Sequence, residues 1–272
     1  LYDYFIHTKI LGENVKTYVM SDIHGGYKAM IQCWERANFN PEEDELIVLG
    51  DTCDGWPETK ECVEALMKVK NLVYILGNHD LWALDWAKDD ERNEMWVTQG
   101  GWNTLLSYDF KMPKKHIKFF EDAHLWMEDE DKGILFVHGG INPSMSVEAH
   151  KIHTLLWDRD LLQYVRKIHT REELRAKDTG KEFIRPKISQ YNEIFIGHTS
   201  SSFYGKSEPL HYCNVWLLDT GGGWEGKLTI MDLETREYWQ SDYVDDLYKD
   251  NKGRREVSKN NEEVHRWLEN ED

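Results

Sequence analysis

Long apolar runs are absent from this chain of 272 residues. No uninterrupted stretch approaches the ~20 residues that a membrane-spanning helix needs, which excludes a transmembrane span. Cysteine is scarce, and Cys33, Cys53, Cys62 and Cys213 form no CxxC pair. A chain able to bury a large core has no need of disulfide staples, so these read as reduced packing residues. Cys53 lies inside a motif but has no cationic neighbour in sequence to depress its pKa, and it too is expected to pack rather than attack. Basic charge is also short: 33 Lys and Arg against 50 Asp and Glu leave a net −17. That balance argues against a surface that tracks the phosphates of duplex nucleic acid. No basic region with an apolar stretch and cleavage pattern opens the sequence, and no internal repeat runs through it. A cytoplasmic protein is the expectation.

What is present is a series of short segments in fixed order: Asp22-Ile23-His24-Gly25, Gly50-Asp51-Thr52-Cys53-Asp54-Gly55, Gly77-Asn78-His79-Asp80, His138-Gly139-Gly140 and Gly197-His198. Each follows a short apolar run that reads as a buried strand, and strand C-terminal ends in an α/β sheet are where ligands collect. The carboxylates of Asp22, Asp51 and Asp54, the amide of Asn78 and the imidazoles of His24, His79, His138 and His198 mix hard oxygen with borderline nitrogen donors. Such a mixture suits two divalent metals. Asp51 can direct its oxygens at two ions, Asp22 and His24 can serve one, and Asn78, His138 and His198 can complete the other. Two cations roughly 3.5–4 Å apart would acidify a bridging water for in-line attack on phosphorus. His79 is placed to protonate the leaving oxygen, and Asp54 on its other ring nitrogen would fix its tautomer and raise its pKa. Arg159, in Leu155-Leu156-Trp157-Asp158-Arg159-Asp160, can grip two phosphoryl oxygens at once; an ion pair with Asp158 or Asp160 is the alternative. A lone Gly197-His198 would be an ordinary turn, and the ordered co-occurrence carries the reading. His7, His116, His124, His150, His153, His169, His211 and His265 sit in no ligand-like context and are expected on the surface or in packing.

Strands are predicted at 18–20, 46–49, 72–76, 134–137, 193–196, 215–218 and 228–232, with helices at 27–37 and 58–69, the second opened by Pro57 in its first turn. Residues 81–121 are Trp-rich with helical spacing. The later strands show no long helices between them, and 214–239 reads as an antiparallel meander. Residues 161–190 hold eight Lys or Arg against four Asp or Glu, a local +4 expected on a solvated loop or helix face, or as a basic lip beside a phosphate site. The pattern predicts one α/β sandwich domain over 1–240, two mixed sheets facing each other with helices outside, and a charged C-terminal helix or tail over 241–272.

At these residues the chain resembles the calcineurin-like metallophosphoesterases, specifically the bacterial and phage branch of the phosphoprotein phosphatases that act on Ser and Thr. The five segments match in order, with 155–160 and Leu218-Asp219-Thr220-Gly221 alongside, over residues 18–233. The resemblance implies a four-layer α/β/β/α sandwich and two divalent metal ions, often manganese in bacterial members, with iron or zinc the other candidates. It implies Asp22 and His24 on one metal, Asp51 as bridge, and Asn78, His138 and His198 on the second. It also implies His79 as acid assisted by Asp54, and Arg159 with Asn78 on the substrate phosphate. The implied substrate is a phosphorylated protein or small phosphoester. The alternative is a nucleotide or dinucleoside-polyphosphate hydrolase with Trp56 or a neighbouring Trp stacked on a base. A silent binding protein would be expected to have lost ligands, and none is missing.

One departure is sharp: after Asp54 the family has Arg-Gly, the arginine gripping phosphate, whereas this chain has Gly55-Trp56. A lost charged contact costs about 1.5–3 kcal/mol of binding unless another cation substitutes. Asp80, in place of a more frequent Glu, is a smaller one. Gly55→Arg is accordingly expected to raise kcat/KM on a phosphomonoester; an unchanged or lower value would mean that Trp56 or the basic segment has already rebuilt the phosphate site.

Overall fold

The computed structural model describes residues 15–256 and 262–269; His7 and the remainder of the expected C-terminal tail lie outside them. The described strands are β1 (Thr17–Met20), β2 (Glu45–Val48), β3 (Asn71–Tyr74), β4 (Trp126–Asp129), β5 (Ile134–Val137), β6 (Glu193–Ile196), β7 (Leu210–Tyr212), β8 (Val215–Leu217), β9 (Thr229–Asp232) and β10 (Tyr238–Gln240). The helices are α1 (Tyr27–Ala37), α2 (Thr59–Leu66), α3 (Asn78–Asp89), α4 (Glu94–Trp96), α5 (Trp102–Ser107), α6 (Lys114–Glu121), α7 (Ile152–Trp157), α8 (Asp160–Thr179), α9 (Val244–Leu247) and α10 (Glu262–Leu268). No described helix is long and apolar enough to cross a membrane.

Side chains alternate across a strand, and that alternation divides the apolar residues into layers. Val19, Ile47, Val73 and Met231 of one sheet meet Met127, Ile134, Phe136 and Phe195 of the other in a shared core. Their sequence neighbours Tyr18, Met20, Leu46 and Val48 face the opposite way, against α1, α2, α3 and α5. Leu135, Val137, Ile194 and Ile196 likewise turn toward Leu155 of α7 and Leu161, Leu162 and Val165 of α8. Buried on both faces, these strands read as continuous apolar runs. The result is two mixed five-stranded sheets between helical layers, ordered β10-β9-β1-β2-β3 and β4-β5-β6-β8-β7. Strands β1, β2 and β3 are parallel in the first, and β5, β6 and β8 in the second.

Several expectations change. Strands β4, β7 and β10 were not foreseen; all three are edge strands, where Trp126-Met127-Glu128-Asp129, Leu210-His211-Tyr212 and Tyr238-Trp239-Gln240 are only partly covered and carry no apolar run. The 214–239 stretch is not a meander: β8 pairs with β6 and β7 in one sheet, β9 with β1 and β10 in the other, and Gly221-Gly222-Gly223 lies in the crossing between sheets. A long helix does separate later strands, since the basic segment forms α8 between β5 and β6. Pro57 precedes α2 rather than opening it, because the helix begins at Thr59. Beyond residue 241, Val244, Tyr248 and Arg254 are buried, so this charged stretch is anchored to the body.

Phe195 is fully buried at the meeting of the sheets, its ring 5.3 Å from Phe136 and 6.2 Å from Trp216, both stacked. Phe195→Ala is expected to lose about 3–5 kcal/mol of stability, measured by urea denaturation; a loss below about 1 kcal/mol would show that the sheets close over the gap.

Candidate active site

The parallel strands β1, β2, β3, β5, β6 and β8 deliver their C-terminal loops to one place. Asp22 N–H donates to Gly50 O at 3.1 Å and His24 N–H to Asp51 O at 2.9 Å, tying the first two loops together. Gly197 N–H donates to His138 O at 2.9 Å, and His198 N–H reaches both Asp22 oxygens at 3.1 Å, joining the two sheets. The turns are tight enough that Asp22, His24, Asp51, Asp54 and His198 all have φ between 50° and 72°. That left-handed region is uncommon for residues with a Cβ, though Asp and His tolerate it better than most.

Asp51, 2% exposed, is shared by two groups of ligand-type atoms: Asp22, His24 and Asp51 form one, Asp51, His138 and His198 the other. Asn78 Oδ1 lies 3.1 Å from His138 Nε2, bringing the amide to the second group. The donor set fits a pair of divalent cations on three observations. His24 Nδ1 is 2.9 Å from Cys53 O and His138 Nδ1 is 2.6 Å from Leu49 O, so each donates there and turns its Nε2 to the centre. His198 Nε2 is buried with no partner among the described residues. Oxygen and imidazole donors are, finally, the chemistry that suits such ions.

Charge in this pocket is managed by burial and by neighbours. Burial and the nearby Asp219 push the Asp22 carboxyl well up. Burial also opposes the charges of Asp51 and His138, yet their mutual attraction, at 3.4 Å, wins: Asp51 is held well below the carboxylate range and His138 is held up at about 9. The N-terminus of α3 adds positive potential, His79 N–H donating to Asp51 Oδ1 at 2.9 Å. Gly77 allows that approach, because a Cβ there would fall 2.1 Å from Asp51 Oδ1.

Asp80, not foreseen as part of the site, holds the Asp51 loop. Its carboxylate accepts N–H groups from Asp51, Thr52, Cys53 and Gly77 at 2.8–3.0 Å and the Tyr74 hydroxyl at 2.8 Å. A shorter arm than Glu suffices here. Cys53 is buried, and burial with Asp80 and Asp54 nearby pushes its thiol well up, consistent with a packing role.

Asp54 Oδ2 stands 2.6 Å from His79 Nδ1. Trp96 Nε1, at 2.9 Å from both Asp54 oxygens, and Thr104 Oγ1, at 2.8 Å from Oδ1, fix the carboxyl, and neither was foreseen. An upward push on His79 was expected; burial instead drives it down to about 3 against the pull of Asp51, and drives Asp54 up to about 8. Burial thus disfavours charge on both members of this hydrogen-bonded pair.

Among the described residues Arg159 makes no ion pair with Asp158 or Asp160; its Nη1 donates to His198 O at 3.2 Å and to Thr199 Oγ1 at 3.1 Å, which sets it beside the second ligand group. Trp56 cannot stack on a base: it is 1% exposed, stacked 5.2 Å from Tyr248, and its Nε1 donates to Gly222 O at 2.7 Å. Gly55 has φ +89°, and a Cβ there would meet His24 Cβ and O at 3.1 Å. The expected gain from Gly55→Arg is thus replaced by an expected loss through backbone strain against a ligand loop. A second arginine, Arg254, reaches the His24 side of the cluster. No local motif announces it; the one cue in sequence is Gly253 interrupting a run of charges.

A family model described as calcineurin-like phosphoesterase matches residues 15–219. Serine/threonine-protein phosphatase 1 of Salmonella typhimurium (strain LT2) is 24% identical over 237 residues, 84% of this chain and 97% of that protein. The symmetrical bis(5'-nucleosyl)-tetraphosphatase of Baumannia cicadellinicola subsp. Homalodisca coagulata is 27% identical over 281 residues, 83% of this chain and 92% of that protein. The solved structure of a candidate diadenosine tetraphosphatase superposes with TM-score 0.59 at 14% identity, over 85% of this chain and 95% of that one.

The buried charges give the metal-free protein a pH signature. His138, held at about 9 against an ordinary 6.5, and Asp54, at about 8 against 3.8, keep protons in the fold that the unfolded chain releases. Above pH 6.5 the folded state thus binds more protons than the unfolded state, and stability falls as pH rises through 8 and 9. The neutral His24, His79 and His198 are silent in that window, being held below 6.5. Thermal melts with chelator should show this decline, and adding a divalent cation near neutral pH should release protons, read as a binding heat that varies with the ionisation enthalpy of the buffer. A flat melt profile together with a buffer-independent heat would contradict the assignment.

Proposed function

From the premise that the chain belongs to the calcineurin-like phosphoesterase family, we propose that it is a dinuclear metal-dependent hydrolase that cleaves phosphomonoesters. The observation that carries this reading is the shared Asp51, with one ligand group on each side of it and the His79–Asp54 dyad beside it. When bound, two divalent cations supply Lewis-acid polarisation of the phosphoryl group and a water acidified enough to attack at neutral pH. Asp22, His24 and Asp51 would hold one, and Asp51, Asn78, His138 and His198 the other. Manganese is the first metal to test.

The chain's own residues then do the rest. With Asp54 on Nδ1, Nε2 of His79 is the nitrogen able to face a leaving oxygen and give it a proton. Trp96 and Thr104 hold the Asp54 carboxylate in place with hydrogen bonds already formed, and Asp54 in turn orients the ring. Arg159 and Asn78 orient the phosphoryl oxygens.

A second reading, hydrolysis of a dinucleoside polyphosphate, is supported by one feature. Next to the ligand cluster lies a cavity of about 570 Å³ lined by Trp224, Phe203, Lys206, Arg254 and Arg255 among others. Trp224 is 46% exposed and could accept a base, as the buried Trp56 cannot.

Turnover of p-nitrophenyl phosphate, a phosphopeptide and a dinucleoside tetraphosphate with added manganese separates the readings: selective turnover of the last overturns the first. His79→Asn is expected to lower kcat by roughly 10²–10⁴-fold. If the metal-loaded protein hydrolysed no phosphoester and His79→Asn changed nothing, the chain would be a binding protein instead.

A further inference from the structure

Two guanidinium groups reach the ligand cluster from opposite partners, Arg159 beside His198 and Arg254 beside His24. Arg254 is 8% exposed, and its Nη2 lies 2.9 Å from Nε2 and 3.0 Å from Nδ1 of His24. A nitrogen nearly equidistant from both ring nitrogens at this range sits over the ring face, because an in-plane approach between them would run into Cε1. The Nε2 lone pair therefore stays directed toward Asp22 and Asp51, whose oxygens lie 3.8 and 3.7 Å away. Arg254 is thus compatible with a loaded centre and does not plug it. Its guanidinium also packs 4.8 Å from the Trp224 ring centre, and its charge faces Asp51, Asp54, Asp219 and Asp22. Its Nε–H is buried without an acceptor among the described residues, a donor held ready for an anion.

The path by which Arg254 arrives is built by the residues that break the family pattern. Trp56 lies flat under Gly253, where a Cβ would come within 3.1–3.2 Å of the indole. Asn103 Nδ2 donates to both Gly55 O and Gly253 O, clamping the two segments together. Gly100 fills the seam between them: a Cβ there would fall 2.5 Å from Gly55 N and 3.1 Å from Arg254 Cγ. Tyr248 stacks on Trp56 from the same segment and is anchored to Glu58 and to Lys28 N–H. Gly55 removes the side chain that would bring an arginine locally, and Trp56 lays the floor over which a distant one enters.

We propose that Arg254 is a second substrate-binding arginine of this chain, a guanidinium carried in by the C-terminal segment that takes the substrate phosphoryl group from the His24 side while Arg159 takes it from the His198 side. The inference rests on the phosphoester reading above. It explains how the second motif ends in Gly55-Trp56 without leaving the phosphate site short of a cation.

The test uses the full chain loaded with manganese, as wild type, Arg254→Gln, Arg254→Lys and Gly253→Val. Readouts are orthophosphate binding by calorimetry, bound metal per chain, and kcat and KM on p-nitrophenyl phosphate. Arg254→Gln is expected to weaken orthophosphate binding roughly 10- to 100-fold with metal content unchanged. Arg254→Lys should fall between, keeping the charge without the fork. Gly253→Val, which displaces the segment from Trp56 without touching the charge, should weaken binding as well. Added guanidinium ion should restore part of the orthophosphate affinity of Arg254→Gln, which a merely structural role would not allow. Unchanged or tighter orthophosphate binding in Arg254→Gln, with wild type active, overturns this inference alone. Should wild type neither bind orthophosphate nor turn over any phosphoester, the phosphoester reading falls and this inference with it. If Arg254→Gln fails to fold, Arg254→Lys and Gly253→Val decide by the same orthophosphate measurement.

Discussion

Asp51 is a carboxylate almost out of reach of water, shared by two groups of ligand-type side chains. Burying such a charge carries a penalty of several kcal/mol unless the surroundings supply positive potential of their own. Here that potential comes from the His138 imidazole, from the N-terminal amides of α3 and from Arg254. The His138 imidazole reaches Asp51 only because both sheets end at one place, since β2 leads to the carboxylate and β5 leads to His138. The face-to-face sandwich is therefore the arrangement that makes the shared carboxylate tolerable, with the Phe136–Phe195 contact in the core between the sheets holding them together. Asp80 plays the complementary part, tying down the backbone amides of the Asp51 loop so that the carboxylate cannot swing away to solvent.

The interior strands were legible because they are buried on both faces. Val19, flanked by Tyr18 and Met20, meets one core while its neighbours meet another, and a run with no polar residue signals that situation directly. Strands β4, β7 and β10 were not legible for the converse reason: edge strands such as Trp126–Asp129 need only half a covering and borrow their order from a neighbour already in place. The Gly221-Gly222-Gly223 stretch suggested a hairpin because glycines mark turns. What they permit is close passage beside His24, where a Cβ at Gly223 would come within 2.2 Å of the ring. Glycine spacing reports that backbone comes close to something, and does not say to what.

The site was legible as far as its motifs are local. Asp22, His24, Asp51, Asn78, His138 and His198 each sit one to four residues past a strand end, and the structure brings all six together. Trp96, Thr104 and Arg254 were illegible because each acts across a long sequence gap, and nothing in its own neighbourhood distinguishes it from a core tryptophan, a helix threonine or a surface arginine. Gly55-Trp56 marked where something was missing, and could not say what had replaced it. The answer depends on how residues 248–254 pack on an indole, a property of the fold rather than of either segment alone.

The five left-handed residues at the site bear on its economy of stability. Holding a side chain with a Cβ in that region costs roughly 1–2 kcal/mol, less for Asp and His, so five together are an appreciable fraction of the net stability of an ordinary domain, about 5–15 kcal/mol. The strain is nonetheless productive, because a single left-handed residue reverses the chain within one step of the strand end. Asp22, His24, Asp51 and His198 then point back across the crevice rather than onward into solvent. What repays it are the backbone bonds between loops, Asp22 N–H to Gly50 O and His24 N–H to Asp51 O, which exist only because the chain turns there. The same turns that aim the ligands therefore also lock the loops to one another. A substitution that relaxed the backbone at Asp51 would free the ligand geometry and the inter-loop bonds in one event, so stability and site geometry cannot be altered separately at these positions.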